Sequence, residues 1–185
     1  MKYVSLDIET TCLEPMVPEN ILMLSMAVED TEHPEIPVVM LPHFTCYFLN
    51  PDDKYTGSAY GITMNSWIFD ILSGRTKADY QVYDMNGYDF RRNIIKFLHD
   101  NFGMEIITLA GKNVASFDYQ FLPSWLQGFF KYRMIDPGSV FIDFKDTELK
   151  SLGELKKELK IEGDVTHDAR GDAMDVIKIL RKKLC

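Results

Sequence analysis

The chain has 185 residues, 46% of them hydrophobic and 26% charged, which is the composition of an ordinary globular protein and enough to bury a sizeable core as one domain over residues 1–185. A formal net charge of −8 excludes a duplex-coating protein, because the field of the whole molecule repels polyanions, yet it permits an acidic site that recruits cations. Cys12, Cys46 and Cys185 show no CxxC spacing or disulfide frame, and the first apolar segment carries Asp7 and Glu9, unlike a signal peptide, so a cytosolic protein is expected.

Residues 2–9, rich in β-branched and aromatic side chains at their start, predict a first strand. Residues 21–30 predict a second; their uncharged stretch, 21–28, is far shorter than the roughly 20 residues that span a bilayer, so no membrane partner is expected. Residues 38–49 predict a third strand, with Pro34, Pro37 and Pro42 marking turns or an edge. Three strands in succession suggest an antiparallel meander. A loop is expected over 50–63 and a short helix over 64–72, closed by Ser73 and Gly74.

The second half alternates. Phe90, Ile94, Phe97 and Leu98 share one face of a helix over 88–102, followed by a strand over 105–110. A helix over 117–130 carries Pro123 near its first turn or as a kink. Residues 134–144 hold a short strand and a connection, and 152–159 a helix. Ala169, Ala173, Val176, Leu180 and Leu184 mark a C-terminal amphipathic helix. Three antiparallel strands and then alternating helix and strand make an α/β domain with a five-stranded mixed sheet flanked by helices.

Carboxylates gather in three places. Asp7 and Glu9 lie two apart at the end of the first strand, so both face one side while Ile8 faces the other. Such a pair repels itself unless a cation intervenes. The motif D-x-E alone is weak, expected by chance in about half of chains this long. Asn113 to Asp118, N-x-x-x-F-D, follows a strand and opens a helix; it is far rarer, about one or two chains per hundred. Asp118 there could serve a helix dipole and a metal at once, and Phe117 reads as core. In the third cluster Asp168 and Asp172 stand one turn apart at the start of the last helix, with His167 just outside. Taken alone, that cluster reads as helix capping by Thr166 or Asp168. Gly171, inside the first turns, costs about 1 kcal/mol relative to Ala, which points to a close neighbour.

Taken in order, these three clusters resemble the exonuclease motifs of the DEDDh (DnaQ-like) 3′–5′ exonuclease family, within the RNase H-like superfamily. The resemblance runs from Val4 to Leu180 and includes SLDIETT, AGKNVASFDYQFL and THDARGDAMDVIKIL. Tyr60 to Thr63 resembles the H-G-I-T element of many members, and Met134 to Ser139 the segment after the second motif in phage and bacterial members. Two departures stand out: Cys12 where many members have Gly, and Tyr60 in place of the His of H-G-I-T.

The resemblance implies an RNase H-like fold with a central first strand, two divalent ions (Mg²⁺ or Mn²⁺) and release of nucleoside 5′-monophosphates. It matches Asp7, Glu9, Asp118 and Asp172 to the metal-binding carboxylates and His167 to the general base. By the same resemblance Asp7 bridges both ions, Glu9 and Asp172 complete the site of one, and Asp118 serves the other. Thr10, Thr11 and Leu13 are expected to hold the terminal nucleotide, with Thr63 and Asn113 as further substrate contacts. The expected partner is a nucleic-acid 3′ end, with single-stranded DNA favoured over RNA and a second copy or a replication or repair partner left open. A bacterial cytosol or a phage-infected host is the expected setting. An exoribonuclease of the same family and a non-catalytic binding or accessory module are the alternatives.

Overall fold

A computed structural model describes residues 1–14 and 20–183 of the chain. Five strands make one sheet. Strand β1 (Lys2–Thr10) runs antiparallel to β2 (Ile21–Asp30), and β2 antiparallel to β3 (His43–Phe48). Strand β4 (Gln81–Tyr83) lies parallel to β3 at one edge and β5 (Leu109–Ala110) parallel to β1 at the other, in the order β4-β3-β2-β1-β5. The expected meander is present, but β2 rather than β1 is the middle strand.

Side-chain alternation divides the core. Val4, Leu6 and Ile8 of β1 and Leu24, Met26 and Val28 of β2 point to one face, where α3 (Tyr88–Phe102) covers them with Phe90, Ile94 and Leu98. Burying each such side chain contributes roughly 1.5–3 kcal/mol. Tyr3 and Ala27 point to the opposite face, under α7 (Leu152–Glu158) and α8 (Ala169–Arg181), which supply Leu155, Val176, Ile177 and Ile179. Helix α7 opens with a reciprocal capping box between Ser151 and Glu154. Leu184, the last apolar position of the expected C-terminal helix, and Cys185 lie outside the described residues.

Several elements differ from the sequence reading, each for a local reason. Residues Val38–Met40 form a 3-10 turn between Pro37 and Pro42, so the third strand begins only at His43. The expected loop over 50–63 ends in a helix, α1 (Ala59–Met64), because the Ser58 hydroxyl caps the Gly61 N–H at 2.9 Å. Helix α2 (Ser66–Leu72) follows directly. Strand β4 was not expected; three largely exposed residues give no burial pattern to read.

The expected helix over 117–130 is broken in two, α4 (Asp118–Phe121) and α5 (Ser124–Gln127), since the residue before a proline is pushed out of the helical region. Leu122 accordingly sits at φ −66°, ψ 141°. The expected strand within 134–144 contracts to one parallel bridge between Ile135 and Ala110, after which Asp136 caps the short helix α6 (Pro137–Val140). The fifth strand of the sheet is therefore β4, at the edge beside β3.

Helix α8 is fixed to β2 by a bidentate ion pair: Arg181 donates from Nε and Nη2 to the fully buried Glu29 carboxylate at 3.0 and 2.8 Å. Arg181→Met strands a buried charge and should cost about 3–5 kcal/mol in urea unfolding. Replacing both partners with Met should recover most of that loss. Equal destabilisation by the single and double variants would mean that packing, not the charge pair, holds the helix.

Candidate active site

Asp7 and Glu9 share the face of β1 that α8 covers, and α8 descends on that face with its N-terminus at the acidic end of the strand. The first turn of α8 thereby brings Asp172 to Asp7 and Glu9, and ligand oxygens of the three lie within 4.8 Å of one another. Asp118 arrives from the opposite edge. Strand β5 ends too early to pair with Ile8, so the Ile8 N–H donates to Asp118 Oδ1 at 3.1 Å. Gly111 makes this approach feasible, because a Cβ there would meet the Leu6 carbonyl oxygen at 2.6 Å.

Electrostatic tension marks the cluster. Burial first, and then the charges of Asp118, Glu9 and Asp172, hold the Asp7 carboxyl well above the usual carboxylate range. Burial and the charge of Asp172 push Glu9 up to about 8, against a hydrogen bond from the Asn65 side chain that lowers it. Burial also raises Asp118, opposed by backbone N–H groups. Asp172 rises to about 6 through burial, opposed by nearby His167 and a backbone hydrogen bond from Thr166. One oxygen of Asp172, Oδ1, is buried without a hydrogen-bond partner. A set of hard oxygen donors with an unsatisfied buried oxygen fits a divalent cation such as Mg²⁺.

The acids open into a cleft of about 290 Å³ whose wall includes Asp7, Glu9, Asp172, His167, Thr10 and Leu13. His167 is exposed and has φ of +50°, a left-handed conformation placed immediately before the Asp168 cap of α8. Gly171 has the close neighbour its cost implied: a Cβ would meet the Thr166 hydroxyl at 2.8 Å and the capping Asp168 at 3.3 Å.

The five expected substrate contacts divide. Thr10 and Leu13 line the cleft, and Leu13 is 74% exposed. Thr11 is buried beneath it with its hydroxyl committed to the Thr56 carbonyl at 2.6 Å. The Thr10 hydroxyl is likewise committed, to the Cys12 carbonyl. Asn113 and Thr63 do not line the cleft. Asn113 instead builds the turn before Asp118: it adopts φ of +57°, donates its N–H to Asp136 at 2.6 Å and accepts from the Phe117 N–H.

Phe117, expected as core, is half-buried; it packs against Phe121 and also lines the cleft. The residues missed from sequence are Asn65, Ser58 and Met64 in the wall contributed by α1 and its flanks. Asn65 is buried and donates to the Thr10 carbonyl at 3.0 Å. Its residue type gives no chemical signal, and only the packing of α1 on β1 brings it there. Gly57 and Gly61 allow that packing, since a Cβ on either would lie within 2.4 Å of the Thr11 carbonyl oxygen. Cys12 does not adopt a left-handed backbone, so the site does not demand glycine there.

Neither a family model nor a curated relative matches this sequence. Solved structures do. An E. coli ExoI–ssDNA complex in a zinc-bound form aligns with a TM-score of 0.64 at 14% identity, over 99% of this chain and 40% of its own. S. pombe Pop2p in an Mg²⁺- and Mn²⁺-bound form aligns at 0.65 and 13% identity, over 97% of this chain and 81% of that one. A full-length 3′-exonuclease aligns at 0.63 and 16%, over 99% and 81%. The fold is RNase H-like. This chain thus spans two fifths of the ExoI chain and four fifths of the other two. No helix among the described residues is long and apolar enough to cross a membrane.

The acidic cluster of this RNase H-like sheet generates a pH prediction. Carboxyls whose folded pKa lies above the unfolded value retain protons that unfolding releases, so their repulsion is absent at low pH and grows as pH rises. In EDTA, Tm should fall between about pH 5 and about pH 8, the window set by Asp172 and Glu9. Asp7→Asn should raise Tm at the upper end. A melting temperature that climbs across this range, or an Asp7→Asn protein less stable than the parent, would remove the repulsion from the account.

Proposed function

We propose that this chain is a metal-dependent 3′–5′ exonuclease that removes nucleoside 5′-monophosphates from single-stranded DNA or frayed ends, as one nuclease domain. The observation that carries the reading is the trio Asp7, Glu9 and Asp172, oxygens within 4.8 Å, opening with His167 into one cleft. The likeness of its fold to an ExoI bound to ssDNA supports DNA as the first substrate to test. The segment from Met134 to Ser139 favours a phage or bacterial member of the DEDDh group. The free thiols of Cys12 and Cys46 accord with a reducing cytosol.

Asp7, Glu9 and Asp172, with Asp118 beside them, would hold two divalent ions, Mg²⁺ or Mn²⁺. When bound, such ions neutralise phosphoryl oxygens and acidify an attacking water. The protein supplies the rest. His167, on the rim of the cleft, takes the proton of the attacking water as general base. Leu13 and Phe117 present apolar surface to the terminal base, and the Tyr60 side chain, 67% exposed on the cleft wall, stands where a sugar or base edge would meet it. An intact set of four acids and a histidine is more than a non-catalytic binding module requires.

Asp7→Asn should abolish turnover of a 5′-labelled oligonucleotide in Mg²⁺; near-parental kcat in that variant would sink the assignment. His167→Ala should slow cleavage by about 10²–10⁴-fold with metal affinity retained. A panel of DNA and RNA, single- and double-stranded, with Mg²⁺, Mn²⁺ or EDTA decides the substrate, and faster RNA cleavage would move the proposal to an exoribonuclease.

The net charge of −8 leaves little basic surface, so the enzyme should act distributively. Each phosphate neutralised contributes about −0.7 to the single-strand salt slope, and a site with one or two contacts should show a shallow one. Complete digestion of one strand before the next is touched, or a steep slope, would reveal a basic channel that the charge balance hides.

A further inference from the structure

Away from the cleft, Lys156 of α7 and Asp175 of α8 form an ion pair in which both residues are about 95% buried. Burying two charges is costly, and apolar replacements of such pairs are often neutral or stabilising. The neighbours Leu155, Val176 and Ile177 show that these two helices also pack through apolar contacts. Charge neutralisation does not require Lys156 either, because Lys178 Nζ already lies 2.7 Å from the other oxygen of Asp175. What Lys156 adds is a third bond: its Nζ donates to the Asp164 carbonyl at 3.0 Å.

Asp164 belongs to the connection between α7 and α8, three residues before His167. That connection has no helix or strand of its own. It is folded back over Lys156 by two left-handed residues, Lys160 and Gly163, at φ of +53° and +85°. The Ile161 N–H donates to the Lys156 carbonyl at 2.8 Å, and a Cβ on Gly163 would lie 4.0 Å from the ammonium. Further along, the Thr166 hydroxyl lies against Gly171 in the first turns of α8, where a Cβ would meet it at 2.8 Å. The segment that carries His167 is therefore tied at Asp164 by the Lys156 ammonium and abuts α8 at Thr166. Asp175, which holds Lys156, belongs to that same helix.

We propose that Lys156, held by Asp175, is a positioning residue that sets the His167 imidazole against the acidic cluster through the Asp164 carbonyl. Lys156 does not line the cleft. The inference rests on the reading of His167 as the proton acceptor. A general base displaced by an ångström loses much of its effect, whereas metal and substrate binding by other groups need not change.

The test is a double-mutant cycle of Lys156→Met and His167→Ala, measured at saturating Mn²⁺ and oligonucleotide. Lys156→Met should lower kcat by about tenfold in the parent protein, shift KM less than about twofold, and change kcat by less than about twofold in the His167→Ala background. Amide exchange at residues 164–167 should quicken while that of the sheet stays constant. Lys156→Met combined with Asp175→Leu, which leaves no buried charge unpaired, should reproduce both results if the single variant folds poorly. An equal fall in kcat in both backgrounds, or unchanged exchange at 164–167, would overturn the proposal. Failure of the exonuclease reading would appear separately, as absent cleavage by the parent protein, and the exchange measurement reads the tether without turnover.

Discussion

Side chains alternate across a strand, and in β1 that alternation fixes where every acid must go. Val4, Leu6 and Ile8 are anchored in the core beneath α3, so Asp7 and Glu9 have no choice but the face under α8. A register slip of one residue would turn both carboxylates toward the phenyl rings under α3 and the aliphatic row toward α7 and α8. The long pairing with β2 prevents it. Asp172 then needs only to sit at the start of a helix packed on that same face, and Asp118 only to reach the Ile8 N–H, beyond the end of β5.

The same constraint makes the site electrostatically unfavourable by itself. Three carboxyl groups converge, Glu9 and Asp172 buried and Asp7 half-buried, and each is harder to ionise than in water. Proteins tolerate such arrangements where function requires them, and offset the cost in the surrounding structure. Here the surroundings include the Glu29–Arg181 pair and the apolar seam of α7 and α8 against the sheet, which fix the helix that carries Asp172. The His167 segment is anchored differently, by the hydrogen bond from Lys156 of α7 to the Asp164 carbonyl.

Much of this was legible in the residues. The strand at β2 and the helix at α3 were expected over the same residues that form them, because long, regular apolar patterns survive tertiary context. Short elements did not read. Strand β4 is three largely exposed residues on an edge, and α1 depends on a serine cap and on two glycines that let it settle on the Thr11 backbone. Pro123 was visible, but whether it would kink or break the helix depended on Leu122 adopting an extended backbone.

The sequence by itself determined where the candidate groups stand: D-x-E on a strand, a further acid opening a helix, and a histidine one residue before the acid that caps the last helix. Strand periodicity and helix capping are local, so their consequences follow from neighbouring residues alone. Tertiary structure decided which of the expected substrate contacts face the cleft. Thr10 and Leu13 do, while Thr11 lies beneath it and Asn113 serves the turn before Asp118. It also decided what Asn65 and Lys156 bond to, one donating to the Thr10 carbonyl and the other to that of Asp164. Both act on backbone groups distant in sequence or across a loop, and no pattern of residue types encodes which carbonyl a folded chain will bring within 3.0 Å of a donor.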